Sequence, residues 1–138
     1  MIILDTNVIS ELMRSDPDAS VLGWLDRQPS ESIWITSVTL FESRLGLALL
    51  PAGRRRSALT AAFDALLNQD LGGRVLPFDT EAASQAAALA AIRQRAGRPV
   101  DVRDTQIAGI AQARRAALAT RNVRHFEGLN LQVLSPWD

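Results

Sequence analysis

Short apolar runs that end in small polar residues alternate along this chain with longer stretches of helical periodicity. Ile2-Ile3-Leu4 is followed at once by Asp5-Thr6-Asn7, which reads as a strand buried on both faces of a parallel sheet and stopped by a carboxylate. A short helix is predicted from there to about Arg14, a loop over Ser15-Asp16-Pro17-Asp18, and an amphipathic helix from about Val21 to Gln28-Pro29. Ile33-Trp34-Ile35-Thr36 repeats the strand pattern and again ends in hydroxyls, Thr36 and Ser37, which open a third helix running to about Leu50. Pro51-Ala52-Gly53 breaks it, and Leu59, Ala62, Phe63, Leu66 and Leu67 mark the next helix at i, i+3, i+4, i+7 and i+8. Residues 37 to 68 therefore read as an αα-hairpin.

Gly72-Gly73 turns the chain into a strand over Arg74 to Phe78, whose Pro77 argues for a sheet edge or a strand end. Asp79 or Thr80 caps a long Ala-rich helix to about Ala96, closed by Gly97. Its small residues Ala82, Ala83, Ala86, Ala90 and Ala91 suit close packing on a neighbour. A sixth helix spans Asp101 to about Arg115, Leu118-Ala119-Thr120 forms another short strand, and Leu131 to Leu134 alternate as the last one. Regular alternation of strands and helices predicts a three-layer α/β/α fold with a mainly parallel sheet.

At 138 residues and 47% hydrophobic content, a single domain over residues 1–138 is expected, with a sizeable core. No apolar run has the length of a membrane span and no signal peptide is evident, so a cytoplasmic protein without membrane association is the default expectation. There is no Cys, which excludes thiolate chemistry and sulfur-ligated zinc. Fifteen acidic residues balance fifteen basic ones, and every basic residue is Arg. Absence of Lys removes a Walker A site, a Schiff base and the lysine partner of an aspartyl-phosphate. A lone His125 cannot build a multi-histidine metal site, and beside Phe126 it reads as a surface or satisfied core histidine. The run Arg54-Arg55-Arg56 is in most proteins a solvated face, with RNA phosphate contact as the sharper reading.

What remains is carboxylate and hydroxyl. In open α/β sheets ligands bind outside the carboxyl ends of the strands, where Asp5 sits; the competing reading is that Asp5, Thr6 or Asn7 only caps the first helix. Glu42 falls at i+4 of the stripe Val38, Leu45, Leu49, on a face expected to be buried; a capping box with Thr39 as cap and Glu42 as its partner is the plainer account, and Ser37, an equally good cap, would instead leave Glu42 deeper in the helix. Asp104 begins the stripe Ile107, Ala108, Ala111, with Asp101 as cap and Asp104 as a dipole-favoured first-turn acid as the alternative. If the crossovers are right-handed, the strand ends at Asp5, Thr36 and Thr120 share one sheet edge, and Asp5, Glu42, Asp104 and Asn122 converge. Three carboxylates in one pocket repel one another, and a hard divalent ion, Mg²⁺ or Mn²⁺, relieves this. Such a site supports hydrolysis of a phosphodiester by an activated water.

Ile3-Leu-Asp-Thr-Asn7, Ser37-Val-Thr-Leu-Phe-Glu42, Asp104-Thr-Gln-Ile-Ala108 and Ala119-Thr-Arg-Asn-Val123 resemble, in this order, the four signature segments of the PIN domain. Glu42-Ser-Arg-Leu-Gly46, Leu76-Pro-Phe-Asp79 and Pro136-Trp137 further resemble the VapC toxin ribonucleases, in their FitB-like branch. The resemblance implies a Mg²⁺- or Mn²⁺-dependent endoribonuclease, the toxin half of a type II toxin-antitoxin pair, with RNA as substrate. By position, Asp5 and Asp104 would be the metal ligands, with Glu42 acting directly or through water and Asn122 at the place of a fourth acid. Thr6, Asn7 and Thr120 would support them. An amide at position 122 weakens the case for a tightly held second metal. The resemblance also implies a homodimer neutralised by a small DNA-binding antitoxin, with the αα-hairpin as part of the antitoxin-binding surface. A non-catalytic reading stands beside it: a PIN-like RNA-binding or assembly module whose catalytic power has decayed.

Overall fold

A computed structural model describes residues 1–99 and 101–138 of the chain. Five strands form one parallel sheet: β1 (Ile2–Leu4), β2 (Ile33–Thr36), β3 (Val75–Leu76), β4 (Ala117–Ala119) and β5 (Val133–Leu134), in the order β3-β2-β1-β4-β5. β1 is central because its residues are apolar on both faces. Ile3 and Leu118 face one core, with Leu76, Leu89 and Ile107. Their neighbours Leu4, Ala119, Ile33 and Ile35 face the opposite core, with Val8, Val21 and Phe63. Pro77 marks both features expected of it, since β3 stops at Leu76 and forms an edge of the sheet.

Six helices cover the two faces: α1 (Thr6–Leu12), α2 (Ala19–Asp26), α3 (Ser37–Leu49), α4 (Arg54–Ala65), α5 (Thr80–Arg95) and α6 (Val102–Arg114). α1, α2 and α4 supply one core, and α5 and α6 the other, so the expected three layers form. The stripe of small residues on α5 meets Gly109 of α6. A Cβ at Gly109 would lie 2.6 Å from the Ala82 carbonyl oxygen and 2.7 Å from Ala86 Cβ, so only glycine permits this approach. α6 then ends on Arg115, a non-glycine residue at φ 54°.

Three expectations change. The α3 cap is neither Ser37 nor Thr39: Thr36, the last residue of β2, accepts from the Thr39 N–H at 3.1 Å. Ser37 instead accepts from the Phe78 N–H at 3.0 Å, tying α3 to the chain after β3. The stripe through Glu42 is not buried along its length, since Leu49 is 76% exposed; Val38 and Thr39 in the first turn of α3 are its buried residues, while Leu40 and Leu47 pack against the core only partly buried. The helix after Arg54 stops being α-helical at Ala65 and continues as a wider turn over Leu66–Asp70.

Candidate active site

Because β1, β2 and β4 are parallel and in register, their carboxyl ends lie along one edge, as expected from sequence. Strand order reverses at β1: the chain proceeds outward through β2 and β3, then returns to the other side for β4 and β5. The crevice between the ends of β1 and β4 is the place where such sheets bind ligands. Asp5 follows β1 there and Thr120 follows β4.

Asp5 caps α1 and serves the crevice at once. Its Oδ1 accepts the Thr6 N–H at 2.8 Å, while Oδ2 accepts from Thr120 Oγ1 at 2.7 Å and Asn7 Nδ2 at 3.3 Å. Thr120 Oγ1 itself accepts from Asn7 Nδ2 and the Asn122 N–H, both at 3.1 Å, which leaves its own proton only for Asp5. Asn7 Oδ1 takes the Arg121 N–H at 3.1 Å and completes a clamp between the two strand ends. A carboxylate has about four acceptor positions. Three of those on Asp5 are used by the protein.

Glu42 is oriented from the other side. Thr6 Oγ1 donates to Glu42 Oε1 at 2.9 Å and lies 3.0 Å from Thr39 Oγ1, which in turn is 3.4 Å from Thr36 Oγ1. Since the Thr6 proton is spent on Glu42, Thr39 donates to Thr6, and the hydroxyls form a row directed at the carboxylate. Glu42 Oε2 meets the Arg103 guanidinium at 3.3 Å. Asp104 stands in the first turn of α6, where Asp101 caps the helix by accepting the Asp104 N–H at 2.9 Å. Its Oδ2 lies 3.0 Å from His125 Nδ1.

The three acids feel one another electrostatically. Burial, opposed by the Thr120 and Thr6 hydrogen bonds, pushes the Asp5 carboxyl above its ordinary pKa, and the charges of Asp104 and Glu42 add to the rise. Asp104 is raised as well, first by burial and then by Asp101 and Glu42, with His125 acting against the shift. Asp5, Glu42 and Asp104, from three separated segments, thus share one field.

Asn122 does not join them through its side chain. The residue is exposed, and among the described residues only its main-chain N–H enters the network. Two contacts are absent from the sequence reading. His125 is exposed, as expected of a surface histidine, yet its ring meets Asp104. Arg103, next to Asp104, reaches across to Glu42, a contact that α-helical spacing alone does not reveal because it links two helices. Each places a cationic or polar nitrogen on a carboxylate where a cation is favoured.

A match to the family model described as "PIN domain" covers residues 2–129, which include all of these acids and hydroxyls. The chain belongs to the PIN domain family. Over its full length the PIN domain is 41% identical to the VapC ribonuclease Y4jK of Sinorhizobium fredii, covering 99% of that protein. It is 34% identical to the toxin FitB of Neisseria gonorrhoeae, with 99% of each chain covered. Its fold superposes on a chain in the structure of FitAB bound to IR36 DNA with a TM-score of 0.91 at 34% identity, covering 100% of this chain and 96% of that one.

Proposed function

We propose that this PIN domain is the toxin of a type II toxin-antitoxin pair and acts as a Mg²⁺- or Mn²⁺-dependent endoribonuclease. The observation that carries the reading is the convergence of Asp5, Glu42 and Asp104 at the switch point, with two of the three carboxyls raised by burial and mutual repulsion. Its relatives carry the words ribonuclease and toxin in their names.

The donor set suits a hard ion in kind, since every acid offers oxygen, and the Arg103 guanidinium and the His125 ring already sit against Glu42 and Asp104. Among the described residues no three acidic or histidine side chains are gathered closely enough to enclose an ion by themselves. Mg²⁺ is typically held by one or two carboxylates and completes its shell with water and substrate phosphate. Asp5 and Asp104 would hold the ion, which when bound offsets phosphodiester charge and makes water a stronger nucleophile at neutral pH. Thr120 and Asn7 fix the Asp5 carboxylate. Thr6 fixes Glu42, whose carboxylate is placed to orient a water or accept its proton. Arg103 and His125 are about half exposed and free to swing toward RNA phosphate when the acids are otherwise neutralised.

Surface features support the proposed partners. A groove of about 550 Å³ between α1 and the α3–α4 hairpin, lined by Thr6, Met13, Gly46, Leu59 and Phe63, would take an antitoxin segment. Phe41 and Val102, 58% and 66% exposed on adjoining helices, would pack in a homodimer. Among the described residues no helix is long and apolar enough to cross a membrane, and the proposed site of action is the cytoplasm.

The test is cleavage of total cellular RNA by the purified, partner-free chain with Mn²⁺, with Mg²⁺ and with chelator, beside Asp104→Asn. Metal-dependent cleavage at few sites, lost in the variant, is the expected result. Inactivity of the folded wild type under every condition would replace the nuclease with an RNA-binding or assembly module.

A further inference from the structure

We infer that the cavity beside Asp104 is a nucleoside pocket, which seats one unstacked base of the RNA next to the scissile phosphate. The cavity has a volume of about 330 Å³ and lies between the end of α5, the start of α6 and the turn at residues 123–126. Small-molecule pockets run from roughly 300 to 1,000 Å³, so this one has room for a nucleoside. Asp104 is part of its wall. Of the three acids only Asp104 lines it, so anything seated there lies against that one carboxyl at the border of the acidic site, which is why a unit of the RNA chain is favoured over an unrelated metabolite.

The lining has the two chemistries a nucleotide requires. Leu89, Ala108 and Phe126, at most 5% exposed, form an apolar floor, the kind of surface on which a base of any type can lie. Arg93, Arg98 and Arg124 stand around it. Among the described residues these three enter no ion pair, as holds for most arginines of the chain, so their charge is open to an anion. The Arg93 guanidinium donates to the His125 carbonyl, which joins α5 to the turn and holds the cavity open. Arg98 and Arg124 are exposed and unspent, as suits groups that meet a phosphate on each side of a bound base.

Asp101 adds a basis for selection. Its Oδ1 is used in capping α6, and its second oxygen can accept from an exocyclic amine. Adenine, cytosine and guanine carry such a group, whereas uracil offers a carboxylate only its ring N3–H, so Asp101 would favour an amino-bearing base over uracil without excluding it.

The pocket rests on the nuclease reading only for where the scissile phosphate lies, and two experiments separate the fates of the two ideas. In the first, the metal-free chain in chelator is titrated by NMR with AMP, CMP, GMP, UMP, ribose 5-phosphate and inorganic phosphate. The amino-bearing nucleotides should shift the amides of Ala108, Phe126 and Leu129 and bind about tenfold more tightly than ribose 5-phosphate, with UMP weaker and Arg98→Ala/Arg124→Ala reducing all of them. In the second, the same double variant, both of whose substitutions are on exposed residues, should raise KM for RNA about tenfold with kcat within about twofold of wild type. Equal binding of nucleotide and ribose 5-phosphate, or shifts confined to other residues, would overturn the pocket even if RNA is cleaved. Nucleotide binding with an unchanged KM would assign the cavity to free nucleotides and overturn its role in RNA selection. Nucleotide binding by a chain that cleaves nothing would count against the nuclease and leave a nucleotide-binding pocket standing.

Discussion

The Thr120 hydroxyl donates to Asp5 Oδ2 at 2.7 Å across the line where the strand order of the sheet reverses. The two residues are 115 positions apart, and both are buried, Thr120 fully. Thr120→Val keeps the shape and removes the oxygen that also receives Asn7 and the Asn122 N–H. Loss of about 10- to 100-fold in RNA cleavage is expected, as for other residues that orient a metal-binding carboxylate, with a loss of about 1–3 kcal/mol in stability from the donors left unpaired. Activity and urea denaturation on one preparation check both.

Asp5 should make stability depend on pH. Its folded-state pKa is above the ordinary 3.8, so the folded chain binds this proton more tightly than the unfolded chain. Stability therefore rises as pH falls through the raised folded-state value, and the gain is complete below the ordinary one. Above the folded-state value the ionised carboxyl is a standing cost. Asp5→Asn should flatten this part of a Tm-against-pH profile. An unchanged slope would show that Asp5 is not the group being titrated.

Metal should reverse the same trend. An ion at Asp5 and Asp104 competes with their protons, so Mn²⁺ should raise Tm at neutral pH and lose its effect in mild acid. Asp104→Asn should abolish the metal-induced shift while leaving the chain folded. Thermal scans with Mn²⁺ and with chelator provide the comparison.

The row of hydroxyls ending at Glu42 predicts a graded effect. Thr39→Val deletes the donor to Thr6 and should lower cleavage less than Thr6→Val, which deletes the contact with Glu42 itself. Steady-state rates for both variants decide it, and equal losses would remove Thr39 from the orientation of Glu42.

Two backbone positions have opposite signs. Gly109→Ala drives a methyl into the α5 backbone and should cost about 1–3 kcal/mol, since packed interiors resist even one added carbon. Arg115→Gly should stabilise by about 0.5–1 kcal/mol, because glycine relieves the left-handed φ at the end of α6 and the side chain there is exposed. Chemical denaturation of the two variants checks both signs.

The strand ends and the parallel sheet were legible in the chain because local pattern determines them: apolar runs closed by polar residues. Asp5, Glu42 and Asp104 stood out as candidates only, since local pattern accounts for each of them equally as a capping or first-turn acid. Thr36 as cap was missed because a residue that ends a strand and starts a helix satisfies both patterns and so announces neither.

Tertiary structure alone decided the rest. His125 on Asp104, Arg103 on Glu42, the exposure of Leu49 and the cavity beside Asp104 each join or separate segments far apart in sequence, and no periodicity encodes the distance between two helices. Gly109 is the clearest case. In sequence it is a helix-weakening residue, and only the approach of Ala82 and Ala86 to within 2.8 Å of where a Cβ would stand makes it indispensable. Sequence set which chemistry was available, oxygen donors and guanidinium without thiol or amine, because composition limits chemistry directly. Packing set which of those groups meet, because that depends on how the layers close over the sheet.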